Sequence, residues 1–203
     1  MKSNKLWLII LFLINFSSTQ FAQLIKFSDK WQFKTGDDSS YKEINYNDKS
    51  WDHLFVDASW EEQGYPNYDG FAWYRVHFSA DKNLLNKELY LLAGQIDDID
   101  ETYLNGILIG SSGKLPPDPV TSWNVDRIYK IPMGLLKENN TLAVRVFDIG
   151  GAGGIFTGSL GIYDKEGYVD ELDLGPPPKK SFYQLVTSNG LIAAVYNEKK
   201  NVI

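Results

Sequence analysis

Carboxylates are the residues of this chain best suited to chemistry, and they are concentrated. Asp97, Asp98, Asp100 and Glu101 fall within five residues, and Glu61, Glu62, Asp69 and Asp148 add acids beside aromatic or glycine-rich segments. Closely spaced carboxylates can bind hard cations, act as acid and base on glycosidic bonds, or pair with arginine. An EF-hand loop starting at Asp98 needs Gly at its sixth position and Glu at its twelfth, where this chain has Tyr103 and Ile109. The remaining metal reading is a structural calcium site of another kind, drawing on Asp97, Asp98, Asp100 or Glu101. No other cofactor is indicated. Glycoside hydrolysis needs two carboxyls at one of two separations across a sugar. No spacing among Glu61, Glu62, Asp69 and Asp148 shows that any two converge, so no complete catalytic site is legible.

Other chemistries fail on residue type. The chain has no cysteine, which excludes disulfides, thiolate metal sites and a cysteine nucleophile. His53 and His77 are the two histidines, and neither has the neighbours of a triad or a three-histidine metal site. Gly150 to Gly154 lacks the Gly-Lys-Ser/Thr ending of a phosphate loop and follows no βαβ pattern. Gly36-Asp37-Asp38-Ser39 only approximates the Gly-Asp-Ser of lipase-type esterases, and no Asp-x-x-His block follows. The formal charge is −6, with no Lys/Arg-rich run, which argues against nucleic acid as a partner.

The elements that would position these acids read as short strands. Asn105-Gly106, flanked by apolar segments, predicts a two-residue hairpin, because both positions tolerate positive φ. The acidic cluster enters that hairpin, and Ile107 to Ile109 leaves it. Leu24–Phe27, Trp31–Thr35, Tyr41–Tyr46 and Trp51–Val56 read as earlier strands. Phe71 to Ala80 alternates, with Ala72, Tyr74, Val76 and Phe78 opposite Phe71, Trp73, Arg75 and His77. Glu88 to Ile96 is apolar on both faces, as a central strand would be. Arg127–Ile131, Thr141–Ile149 and Leu160–Tyr163 complete the set, and Pro132–Lys137 suggests one helical turn. Many short strands without a long helix predict an all-β sandwich.

The ends read differently. Residues 1–23 form a secretory leader, with Lys2 and Lys5 before the apolar run Leu6–Ile14. Its removal leaves 18 basic against 26 acidic residues, about −8, with no membrane span and a secreted or periplasmic location. Residues 24–175 form the main domain, and 176–181 are a proline-rich linker. Residues 182–203 carry a second Asn-Gly hairpin at Asn189-Gly190 and read as the beginning of a second β domain, since an isolated hairpin is marginal in water.

Several segments together carry a resemblance: Tyr46 to Asp52, Trp60 to Tyr65, Tyr68 to Arg75, Gly94 to Gly110 and Asn140 to Val146. Over about residues 28–165 the chain resembles the N-terminal sugar-binding domain of family 2 glycoside hydrolases, a galactose-binding-like jelly roll also inserted in sialate O-acetylesterase-like proteins. The resemblance implies a jelly-roll β-sandwich placed before an immunoglobulin-like domain and a catalytic barrel that supplies the catalytic glutamates. The expected partners are therefore carbohydrate and a downstream catalytic domain of the same protein. Asp148, before the glycine run, is similar in position to residues that family 2 β-galactosidases lend to the sugar pocket. Sugar sites combine an aromatic face with polar groups at the hydroxyls. The expected contacts are Trp60, Tyr65, Tyr68 and Trp123, with Asp69, Asn124, Arg127 and Asp148. The expected function is a non-catalytic accessory domain. The alternatives are a glycosidase or esterase with its catalytic part elsewhere, or a spacer docking through the Phe71/Trp73/Arg75/His77 face.

Overall fold

The computed structural model describes residues 23–172, 183–187 and 190–194. Residues 1–22 of the leader and the linker 176–181 lie outside the described residues. Strands β1 (Ile25–Lys26), β2 (Lys30–Thr35), β3 (Asp52–Phe55), β4 (Gly70–Ser79) and β5 (Leu89–Asp97) come first. They are followed by β6 (Ile99–Leu104), β7 (Ile107–Ser112), β8 (Asp126–Ile131), β9 (Asn139–Asp148) and β10 (Gly154–Tyr163), then the helix α1 (Lys165–Glu171). A six-stranded sheet runs β3-β2-β4-β9-β6-β7, and a four-stranded sheet runs β1-β10-β5-β8. Pairing within both is antiparallel, and the two sheets form a jelly-roll sandwich. Strands β11 (Tyr183–Thr187) and β12 (Gly190–Ala194) pair antiparallel as a hairpin.

Alternation decides which side chains meet between the sheets. Phe33, Ala72, Tyr74, Val76, Val144 and Val146 enter the core from one sheet; Leu89, Leu91, Ala93 and Ile162 enter from the other. Burying a side chain of this size stabilises by roughly 1.5–3 kcal/mol. The β6–β7 turn follows its chemistry, with Asn105 at φ 52° and Gly106 at φ 84°. The Asn105 side chain also donates to Leu135 O and Asn140 Oδ1, both at 2.9 Å, and accepts from Thr141 N at 3.0 Å. A buried ion pair joins the sheets: Arg127 of β8 donates from Nε to Asp100 Oδ1 of β6 at 2.8 Å. The acids of the hairpin thus divide, Asp100 going to Arg127 and Glu101 to Arg145 at 2.8 Å.

Three expectations about elements change. Tyr41–Tyr46 is no strand: a 3-10 turn, Ser39–Lys42, is capped by the Asp38 carboxylate accepting from Ser40 N at 2.8 Å. This segment crosses the outer face of the six-stranded sheet, packing Tyr41 and Trp51 against Trp73 and Ala143. Arg75 holds it there by donating to the carbonyls of Tyr41 and Glu43 and, at 2.7 Å, to Asp48. Trp73 and Arg75 are therefore buried within the chain itself, and the face expected to dock a further domain is largely covered. Second, Pro132–Lys137 makes a hydrogen-bonded turn without becoming a helix. Third, α1 appears where no helix was expected, covering the outer side of β5 with Tyr168 4.6 Å from Tyr90 between ring centres. Its local signal was Asp164, whose carboxylate accepts from Gly167 N at 2.8 Å. Among the described residues no helix is long and apolar enough to cross a membrane.

Candidate functional site

One end of the sandwich gathers three loops: 57–69 before β4, 113–125 between β7 and β8, and 149–153 between β9 and β10. What joins them is carboxylate chemistry. Asp98, just past the end of β5, accepts from Ile149 N at 2.8 Å and from the Thr121 hydroxyl, while its carbonyl accepts from Ser122 N at 3.0 Å. Asp148, at the end of β9, accepts from Gly150 N at 2.8 Å. Glu61 accepts from Gly153 N at 3.0 Å, and Gly153 O accepts from Trp60 N at 3.0 Å. The glycine loop is thus fastened through its own N–H groups to three acids. Gly153 must lack a Cβ, which would overlap the Trp60 ring.

Burial and mutual repulsion tune these groups. Asp148 is 1% exposed, and its Oδ2 has no hydrogen-bond partner; Glu61 Oε1 is likewise buried and unpartnered. Burial, reinforced by the charges of Asp98, Asp69 and Glu61 against the Gly150 N–H bond, lifts the Asp148 pKa to about 6. Burial and then its contact with Asp98 lift Asp97 to about 7. Asp98 moves the other way: burial would raise it, but the bonds from Thr121 and the Ile149 N–H prevail and hold it low. Among the described residues no three of His, Asp and Glu are arranged to hold a metal ion.

The residues expected to contact sugar separate into two groups. Trp60 is fully buried, its indole N–H donating to Tyr68 O at 3.0 Å. Arg127 is 1% exposed, and its guanidinium is spent on Asp100 and on the carbonyls of Ile96, Asp98, Ser122 and Val125. Neither reaches solvent, because both serve as internal braces. Tyr65 packs edge-on to Phe33 at 4.8 Å and bonds Asp52; Tyr68 donates to Phe71 O at 2.5 Å. Their hydroxyls are already engaged. Trp123 is 49% exposed, with its backbone N–H donating to Thr121 Oγ1 at 3.2 Å, and Asn124 and Asp69 are exposed. Asp148 lies behind this rim. The carboxylates of Asp97, Asp98 and Glu61 join the site although they were not expected among the sugar contacts; the clue available was their clustering, but not their approach to Asp148 across the fold.

No family model matches the chain. Among curated proteins, a β-glucuronidase of Formosa agariphila is 26% identical over 135 residues, 59% of this chain and 13% of that protein. Among solved structures, a Bacteroides uniformis β-glucuronidase covers 70% of this chain and 18% of its own at 19% identity, with a TM-score of 0.55. A family 2 glycosyl hydrolase of Bacteroides cellulosilyticus covers 70% of this chain and 21% of its own at 18% identity and a TM-score of 0.54. The chain shares its β-sandwich fold with a part of these glycoside hydrolases. The chain spans about a fifth or less of the length of those relatives.

Proposed function

We propose that this family 2-type sandwich is the non-catalytic, sugar-binding accessory domain of a larger, secreted or periplasmic glycoside hydrolase, with a catalytic domain downstream. The observation that carries the reading is the convergence of the three loops, which puts exposed Trp123, Asn124 and Asp69 over a bed of carboxylates. Such a rim offers an aromatic face for sugar C–H groups and acceptors for hydroxyls. The activity for which the relatives are named, β-glucuronidase, supports a carbohydrate-active parent. The hairpin β11–β12 fits the start of the next β domain.

The split between Asp97 and Asp98 favours a second reading, in which the chain itself hydrolyses glycosides, since separated carboxyl pKa values often mark an acid and a base. Geometry opposes it. These two carboxyls hydrogen-bond one another, whereas glycosidase pairs stand about 5 Å apart or more. Isothermal titration of the chain with a panel of mono- and oligosaccharides tests the binding role, with heat expected for at least one sugar. Turnover of chromogenic glycosides by this chain alone would overturn the non-catalytic assignment.

A further inference from the structure

A cavity lies at the end of the six-stranded sheet opposite the loops. Strands β4 and β9 run side by side from the pair Gly70 and Asp148 at the loop end to the pair Ser79 and Asn139. β4 is ten residues long, so at about 3.3 Å per residue these ends stand roughly 30 Å apart. At the far end a cavity of about 420 Å³ opens beside His77 and Ser79 of β4 and Asn139 and Thr141 of β9, with Ile44 of the crossing segment as one wall. Clefts for small ligands start at roughly 300 Å³, so this space suits one small molecule and no more.

The walls are held in place by the protein itself. Arg75 brackets Ile44 by donating to the carbonyls of Tyr41 and Glu43 on one side and to Asp48 on the other. His77 is fixed at both ring nitrogens, Nε2 2.8 Å from Asp48 Oδ2 and Nδ1 3.0 Å from Thr141 Oγ1, yet 45% of its side chain stays exposed. Ser79 Oγ donates to Asn139 Oδ1 at 3.3 Å. The Ser79 oxygen is thereby left as an acceptor, and the Asn139 amide N–H groups are donors without a protein partner among the described residues. Among the described residues no Asp, Glu, Lys or Arg lines the cavity, and Asp48 behind His77 is already paired with Arg75.

We propose that this cavity is a second carbohydrate site, taking one uncharged sugar unit, separate from the loop end and not dependent on the reading given to it. A donor and an acceptor side by side match neighbouring hydroxyls, while the His77 ring and Ile44 offer a flat and an apolar surface to sugar C–H groups. A phosphate or carboxylate finds no cation here, and an ammonium finds no free anion. Millimolar affinity is expected for so small a ligand.

The chain has two histidines, so their imidazole resonances give a direct readout by NMR on the full chain. The probes are methyl glucoside, methyl galactoside and methyl mannoside, with the matching uronoside and amino sugar as charged controls. His77 resonances should shift saturably with at least one neutral sugar, while those of His53 on the edge strand β3 stay in place. The charged analogues of that sugar should bind more weakly. Asn139→Ala, at an exposed position, should weaken the binding about three- to tenfold by removing the free donors, and Ser79→Ala should act in the same direction. Trp123→Ala should leave it unchanged. His77 resonances unmoved by every neutral sugar, a shift that both Asn139→Ala and Ser79→Ala leave intact, a shift lost with Trp123→Ala, or equal affinity for the charged analogues each overturns the proposal. Sugar-induced shifts of the Trp123 indole appear in the same titration, so the loop-end reading stands or falls separately.

Discussion

Replacing Arg127 with Met removes the cation that pairs with Asp100 between the sheets while keeping most of the side chain's bulk. Five hydrogen bonds go with it: one to Asp100, two to the carbonyls of Ser122 and Val125, and two to those of Ile96 and Asp98. Asp100 keeps Thr102 at 2.8 Å and the Tyr129 hydroxyl at 2.9 Å, which do not neutralise a carboxylate in a fully buried position. Breaking a buried pair from one side costs about 3–5 kcal/mol, mostly the charge left behind. For a sandwich of this size about 4 kcal/mol corresponds to a fall in Tm of about 8–16 °C. Urea denaturation followed by circular dichroism measures it directly. The double variant Arg127→Met/Asp100→Leu removes both charges and should lose about 2 kcal/mol or less, so the two changes are strongly non-additive. Burial already pushes the Asp100 pKa upward against the pull of Arg127. Without Arg127 it rises further, so the single variant's deficit should shrink on acidification, when Asp100 takes up a proton. A single-variant loss below about 1 kcal/mol, or additive losses in the double, would refute the assignment of Arg127 as a charge-compensating brace.

Asp97 holds its proton up to about pH 7 in the fold, well above its ordinary value of 3.8, so the folded state binds more protons than the unfolded one between those values. Stability therefore declines as pH rises through that window, and Asp97→Asn should flatten the decline in a series of urea midpoints while leaving the alkaline plateau higher. Gly153→Ala drives a methyl into the Trp60 ring and should cost about 1–3 kcal/mol, with a shift of the Trp60 indole N–H resonance marking the displaced loop. Asn105→Ala loses three side-chain bonds and strains a residue at φ 52°; a loss of about 2–3 kcal/mol is expected by thermal denaturation. Asn105→Gly should recover only the backbone part of that loss, so equal stability of wild type and Asn105→Gly would show that the side-chain bonds contribute nothing.

Periodic and turn-driven features were legible in the sequence. Asn105-Gly106 forms the hairpin its chemistry demands, β4 points Ala72, Tyr74 and Val76 inward, and β5 is covered on both sides. Tyr41–Tyr46 misled because Tyr and Ile favour strands, whereas the segment's carbonyls are satisfied from below by Arg75, a long-range partner that no local pattern reveals. The loops of the candidate site were also legible by length and composition. Which of their side chains face outward was not, since a loop tryptophan such as Trp60 can turn inward as readily as Trp123 turns outward. Asp97 and Asp98 lie some fifty residues from Asp148, and only the pairing of β5 and β6 with β10 and β9 brings them together.

The way the glycine loop is fastened bears on how such a site can diversify. Its anchors are backbone N–H groups at 149, 150 and 153, gripped by Asp98 and Asp148 at the strand ends and by Glu61 of the neighbouring loop. Apart from the missing Cβ at Gly153 and the positive φ of Gly150 and Gly151, the grip reads nothing of the loop's own side chains. Ile149 and Ala152 can therefore be exchanged without loosening the attachment, and the rim can acquire a new surface while the sandwich keeps its register. The fold separates the part that must persist from the part that is free to change its ligand.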